Sequence, residues 1–205
     1  MQKTIKFILI SLLALGLNSS AFAKLISVEP IDNPNIIKTA NTFSKTGTLE
    51  FAYSRDSYKN YIYLKVDPRY ETLLSSLLQD LPESEKSCIR PVKDKLPLHI
   101  SLFYMKDLSK EQIQNLPEGA TYTFSIDKLS KVTFKKYEEG ESTYKVWYVL
   151  QVSPSWSLDY LILKNGLQFY TKISEMHISL GFAEYDKQKN CITNSEAIDQ
   201  SQGMK

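Results

Sequence analysis

The sequence predicts an α+β domain made of two similar halves, and three observations carry that prediction. Each half runs strand, apolar-faced helix, strand. Each closing strand contains the same tetrapeptide, HISL, at 99–102 and again at 177–180. These tetrapeptides also hold the only two histidines among the 205 residues. Strand–helix–strand repetition places helices over sheet faces. Two HISL strands in repeated positions would then face one another about a pseudo-twofold axis, across a central cleft.

The elements follow in order. Residues 1–23, MQKTIKFILISLLALGLNSSAFA, open with Lys3 and Lys6, continue as an apolar run from Phe7 to Leu17, and end Ala21-Phe22-Ala23. A basic start, a short apolar core and an A-x-A ending predict a secretory signal cleaved before Lys24. The run of about eleven apolar residues falls well short of the ~20 that span a bilayer. No cysteine near the cleavage point offers a lipid anchor. The mature chain is therefore expected to be exported, periplasmic or secreted, with no stable membrane anchor.

Residues 24–48 carry two prolines and no clear period, and read as an extended lead-in. A domain is expected over 49–186, and residues 187–205 read as a polar tail. LEFAYS (49–54) and NYIYLKVDP (60–68) have the composition of strands. In YETLLSSLLQDL (70–81), Leu73, Leu74, Leu77, Leu78 and Leu81 share one helical face, and Pro82 stops its continuation. PLHISLFYM (97–105) is the next strand. SKEQIQNL (109–116) opens with Ser109 and Gln112 in capping-box spacing. TYTFSIDKLSKVTFKKY (121–137) gives one or two strands with a break near 127–130, and STYKVWYVLQV (142–152) a long apolar one. SPSWSLDYLILKNGLQF (153–169) is a helix with Ser155 as cap and Gly166 near its end, and MHISLGFAEY (176–185) is the last strand.

Composition narrows the chemistry. The whole chain has 25 Lys+Arg and 23 Asp+Glu, and loss of residues 1–23 removes two lysines and no acid. The mature chain is formally neutral and lacks the global basic field that drives tight binding to long nucleic acid. Lys131, Lys135, Lys136 and Lys145 are interleaved with Glu138, Glu139 and Glu141, in the manner of a solvated face. Small or short anionic ligands suit this balance. There is no G-x-S-x-G elbow and no G-x-x-x-x-G-K-[ST] loop. The two cysteines, Cys88 and Cys191, match no zinc spacing with the two histidines. In an exported protein they are either a disulfide or two separate buried thiols. Cys88 precedes the first HISL strand and Cys191 follows the second, so a bond would tie the tail to the domain edge.

On a strand, successive side chains point to opposite faces. His99 and Ser101 share one face while Ile100 and Leu102 share the other, and the same holds for His177 and Ser179 against Ile178 and Leu180. The apolar pairs anchor the core. The polar set suits a phosphate: hydroxyls donate to its oxygens, while one imidazole removes a proton and the other supplies one.

Two H-x-S motifs on strands at this separation resemble the 2H phosphoesterase superfamily, over roughly residues 60–185. That family includes 2′-5′ RNA ligase-like cyclic phosphodiesterases and 2′,5′-oligoadenylate phosphodiesterases. Its motifs frequently carry threonine where this chain has serine. The resemblance implies a two-lobed fold and a metal-independent phosphodiesterase with no cofactor. It makes His99 and His177 the acid–base pair and Ser101 and Ser179 the phosphate holders, with Tyr104, Trp147 and Tyr148 as candidates to stack a base. The expected substrate is a nucleotide or short RNA, with a 2′,3′-cyclic phosphate the first choice and a 2′,5′ linkage the second. The protein is expected to be a monomer. A non-catalytic nucleotide- or RNA-binding module is the reading from a different class.

Overall fold

A computed structural model describes residues 23–53, 60–92, 96–138, 141–167 and 176–192. The predicted signal, residues 1–23, thus lies outside the described residues except for Ala23. The architecture is mixed α+β, with eight strands in one antiparallel sheet. The strands are β1 (Ala23–Ile31), β2 (Thr46–Ala52), β3 (Tyr61–Lys65), β4 (Arg90–Pro91), β5 (His99–Tyr104), β6 (Thr121–Glu138), β7 (Glu141–Pro154) and β8 (His177–Tyr185). The helices are α1 (Pro34–Ala40), α2 (Thr72–Asp80), α3 (Glu83–Lys86), α4 (Lys110–Gln114) and α5 (Trp156–Lys164).

Local chemistry explains most of these boundaries. Asp67 accepts a hydrogen bond from the Arg69 backbone and caps a 3₁₀ turn at Pro68–Glu71, which feeds α2. The expected 70–81 helix is therefore a 3₁₀ turn followed by a shorter α-helix. Leu73, Leu74 and Leu77 of α2 are buried, as the leucine spacing requires. The capping box of α4 forms in full between Ser109 and Gln112. Ser155 stands at the N-cap of α5, but its hydroxyl meets Ser157 at 2.9 Å and caps no backbone group. Gly166, just beyond α5, has φ +61°, which suits a residue without Cβ.

Residues 24–48 do not form an extended lead-in. β1 pairs with β6 from Ala23↔Lys136 to Ile31↔Leu129. Asn33 then caps α1 through Ile36 N, and the chain enters β2 at Thr46. Pro34 sits in the first helical turn, where its missing N–H is harmless, so a proline that argued against a helix instead starts one. Residues 121–138 form one strand whose expected break is a bulge at Asp127, between the pairs of Ile126 and Lys128.

The halves repeat in space. β2–β3–α2–β5 and β6–β7–α5–β8 each end with the HISL strand paired antiparallel to the strand before the helix. They join at two seams, β2 to β6 through Thr46–Thr48 and β5 to β8 through Ile100↔Ile178. The pairings β6–β2–β3–β5–β8–β7–β6 return on themselves, so the two halves share one continuous sheet. The main core lies between the sheet and its helices, with Leu64, Leu73, Ile100, Leu102, Tyr148, Leu150, Leu158 and Ile178 all fully buried.

Residues 187–192, expected as part of the polar tail, are tied to the domain. Cys191 is bonded to Cys88, their Cα atoms 5.5 Å apart, and the Ile192 carbonyl accepts a hydrogen bond from Arg90. Asp186 caps the turn between β8 and Cys191, accepting from the backbones of Gln188 and Asn190. Residues 193–205 lie outside the described residues.

Gly181 of β8 lies under this brace. A Cβ there would come within 2.9 Å of both the Arg90 carbonyl and Leu74 Cδ1, and 3.2 Å of Ile89 Cγ2. Gly181→Ala should therefore destabilise the fold by about 1–3 kcal/mol, the range for overpacking a filled core. Urea unfolding of the variant measures it, and an unchanged midpoint would show that β4 is not packed against β8.

Candidate active site

β5 and β8 meet at one residue pair, Ile100↔Ile178. Both isoleucines are fully buried on the core side. In that antiparallel register His99 lies across from Ser179 and Ser101 across from His177, all on the opposite face. Diagonal neighbours in such a pair are about 7–8 Å apart. The two histidines are one such diagonal, wide enough for a phosphate between them.

The two tetrapeptides match in backbone as well as in letters. Ile62 pairs with Phe103 and Tyr63 with Ser101, so Leu102 is skipped. Tyr148 pairs with Gly181 and Val149 with Ser179, so Leu180 is skipped. Each HISL therefore ends in a β-bulge at its leucine. A bulge bends the strand, increases its twist and re-aims neighbouring side chains, which is why bulges recur beside active sites. Leu102 and Leu180 stay buried as the hinge of each bend.

The surroundings of the two histidines differ. His99 Nδ1 lies 2.8 Å from the Pro97 carbonyl oxygen. A carbonyl only accepts, so Nδ1 carries the proton, and in the neutral ring Nε2 is left with its lone pair. The ring also sits against Tyr61 and Tyr63, with centroids 5.6 and 5.2 Å away. Tyr63 donates to Glu50 at 2.8 Å, and Lys65, across from His99, pairs with Glu50 at 3.2 Å. On the other side, His177 lies across from Gln151, a buried amide whose oxygen accepts from the buried Ser130 hydroxyl at 3.1 Å. Lys65 and Gln151 are thus equivalent positions holding a cation in one half and a neutral amide in the other.

Of the residues singled out in the sequence, His99, Ser101, His177 and Ser179 come together in this register. Tyr104 and Trp147 lie on the same face, further along the strands. Tyr148 does not. Trp147, Val149 and Gln151 alternate with Tyr148, Leu150 and Val152; the second set joins the main core, while Val149 is buried in a separate cluster with Val132 and Phe134, against which Trp147 packs. Tyr148 is fully buried with its hydroxyl donating to Glu85, so it cannot stack a base. Tyr61, Tyr63, Gln151 and Phe182 were missed; period-two alternation around the core residues marks the face of the first three, whereas Phe182 reaches it only through the bulge at Leu180. Three of the four lysines have partners: Lys131 pairs with Glu85, Lys145 pairs with Glu184, and Lys135 lies over the Tyr144 ring. The side chain of Lys136 lies outside the described residues.

Burial and then the bond to Glu50 push the Tyr63 phenol well above the usual tyrosine range, and burial with Glu85 does the same at Tyr148. An unfolded tyrosine ionises near pH ~10, whereas these two keep their protons in the folded chain. Above that pH the folded state binds more protons than the unfolded one, so stability is full below it and falls as pH rises. Thermal unfolding between about pH 9 and pH 12 should show this loss. Tyr63→Phe should flatten the slope; an identical slope would remove Tyr63 as its source.

No family model, curated protein or solved structure matches this chain.

Proposed function

We propose that the protein is an exported, metal-independent phosphodiesterase of the 2H type, acting on ribose phosphodiesters and opening 2′,3′-cyclic phosphates. One observation carries the reading: identical HISL strands meet at Ile100↔Ile178, with each histidine across from the other's serine. A two-lobed arrangement, each half bending away from the seam at its bulge, is part of this proposal. Removal of residues 1–23 would leave β1 intact from its second residue, which accords with export.

In the proposed reaction a neutral imidazole takes a proton from water as the water oxygen bonds to phosphorus. The bond from phosphorus to one ribose oxygen breaks, and the opposite imidazolium protonates that leaving oxygen. The product is a phosphomonoester beside a free hydroxyl. The tautomer fixed by Pro97 leaves His99 Nε2 suited to exchange protons with substrate. Ser101 and Ser179 donate to the non-bridging oxygens, where charge builds in the transition state.

Activity on a cyclic mononucleotide, measured with chelator present, should be bell-shaped around neutral pH, since one imidazole must be neutral and the other protonated. His99→Ala and His177→Ala should each lose about 10²–10⁴-fold, with the double variant little worse. Ser→Ala at 101 or 179 should lose about a hundredfold in rate, while Ser→Thr keeps the hydroxyl and most of the activity. Full activity in either histidine variant, abolition by chelator with zinc rescue, or a trapped phosphoserine would overturn the reading. So would nucleotide binding without turnover, which would favour the non-catalytic module.

A further inference from the structure

Tyrosines aside, three polar side chains are buried among the described residues: Asn33, Ser130 and Gln151. Asn33 works for the fold, capping α1 through Ile36 N and donating to Asp80 at 2.7 Å. Ser130 and Gln151 cap nothing. The Ser130 hydroxyl donates to Gln151 Oε1 at 3.1 Å, and among the described residues the Gln151 N–H2 has no hydrogen-bond partner. Their neighbours on this face, Val132 and Val149, are buried and apolar. A polar pair set there carries a desolvation cost that two apolar side chains of the same shape would avoid.

The Gln151 N–H2 reaches open space, because every side-chain nitrogen or oxygen sealed from solvent among the described residues has a partner. The register sets which space it is. Gln151 stands across the β7–β8 ladder from His177, and Ser130 lies on the same face on β6. β7 is one strand spacing, ~4.8 Å, beyond β8, a distance that a glutamine side chain covers. With its oxygen held by Ser130, the amide keeps its donor end toward the histidines. The equivalent position in the first half also ends in a donor, the Lys65 ammonium, across from His99. Lys65 shares its charge with Glu50, whereas the Gln151 donor is uncommitted among the described residues.

We propose that Gln151 is a further substrate-binding residue: its N–H2, oriented by Ser130, donates to a phosphate oxygen of the substrate beside His177. A donor fixed before the substrate arrives needs no reorganisation as charge builds on that oxygen, so its effect falls on the rate. Ser130 is a positioning residue that acts through the amide. This role rests on the phosphodiesterase reading for its reaction, but anion binding is measured without turnover.

Protein labelled with ¹⁵N is titrated with inorganic phosphate, and the Gln151 N–H2 signals are identified by their loss in Gln151→Leu. They should shift to saturation together with the signals of the two histidines. On adenosine 2′,3′-cyclic phosphate, Gln151→Leu should lose about a hundredfold in kcat, with a smaller change in KM. Ser130→Ala should lose part of that. Gln151→Glu should lose at least as much as Gln151→Leu, since a carboxylate of the same size repels phosphate. The double variant Ser130→Ala/Gln151→Leu replaces both bonded partners, so it should melt near wild type and still be as slow as Gln151→Leu. That combination separates lost binding from lost folding.

Gln151 signals unmoved by phosphate, or wild-type kcat in the double variant, would overturn the assignment. Turnover by wild-type protein matched by Gln151→Leu would sink this inference and leave the reaction standing. Phosphate-dependent shifts at Gln151 with no turnover of the cyclic nucleotide would do the reverse.

Discussion

The contact between Ile100 and Ile178 is the constraint on which the rest of the molecule depends. It is the single register pair between β5 and β8, and it is placed between two fully buried side chains. Burying an isoleucine is worth about 1.5–3 kcal/mol, so the seam is anchored by the core beneath it more than by its few hydrogen bonds. Because strand side chains alternate, fixing the isoleucines inward turns both histidines and both serines outward. A shift of one residue in this register would bury the polar set and expose the isoleucines. The chemistry of the face is therefore specified by the packing of the opposite one.

Around that seam the repeat is geometric but not electrostatic. The bulges at Leu102 and Leu180 bend both strands at the same letter, and each places an aromatic residue just beyond it. The partner strands then diverge in kind. β3 brings Lys65 and Tyr63 to a shared carboxylate, Glu50, while β7 brings a buried Gln151 held by Ser130. A cation thus stands on one side and a neutral amide on the other, within the same backbone frame.

The second half also carries a brace that the first lacks. Position 103 in the first half is a buried phenylalanine, whereas its counterpart is Gly181, onto which β4 and Leu74 of α2 close directly. The Cys88–Cys191 bond holds the segment leading to β4 against the residues that follow β8, and Arg90 reaches from β4 to the Ile192 carbonyl. The bond closes a separation of 103 residues, for which the chain-entropy model gives up to about 4–5 kcal/mol.

The sequence by itself determined what depends on short-range pattern. Strand and helix positions followed from periodicity, the capping box of α4 from two residues three apart, and the polar character of the HISL strands from alternation. Even the core status of Tyr148 was legible there, since it shares a parity with Leu150 and Val152 while Trp147 shares one with Gln151. Only the tertiary structure decided what depends on distant partners. The region from 24 to 48 became strand and helix because β6 offers β1 an edge and because Asn33 and Pro34 start a helix that packs on α2. The joining of the two halves into one sheet, the bulges at both leucines and the meeting of Cys88 with Cys191 belong to the same class. No local propensity encodes these pairings, since each is fixed by which edges and faces remain to be covered once the core has closed.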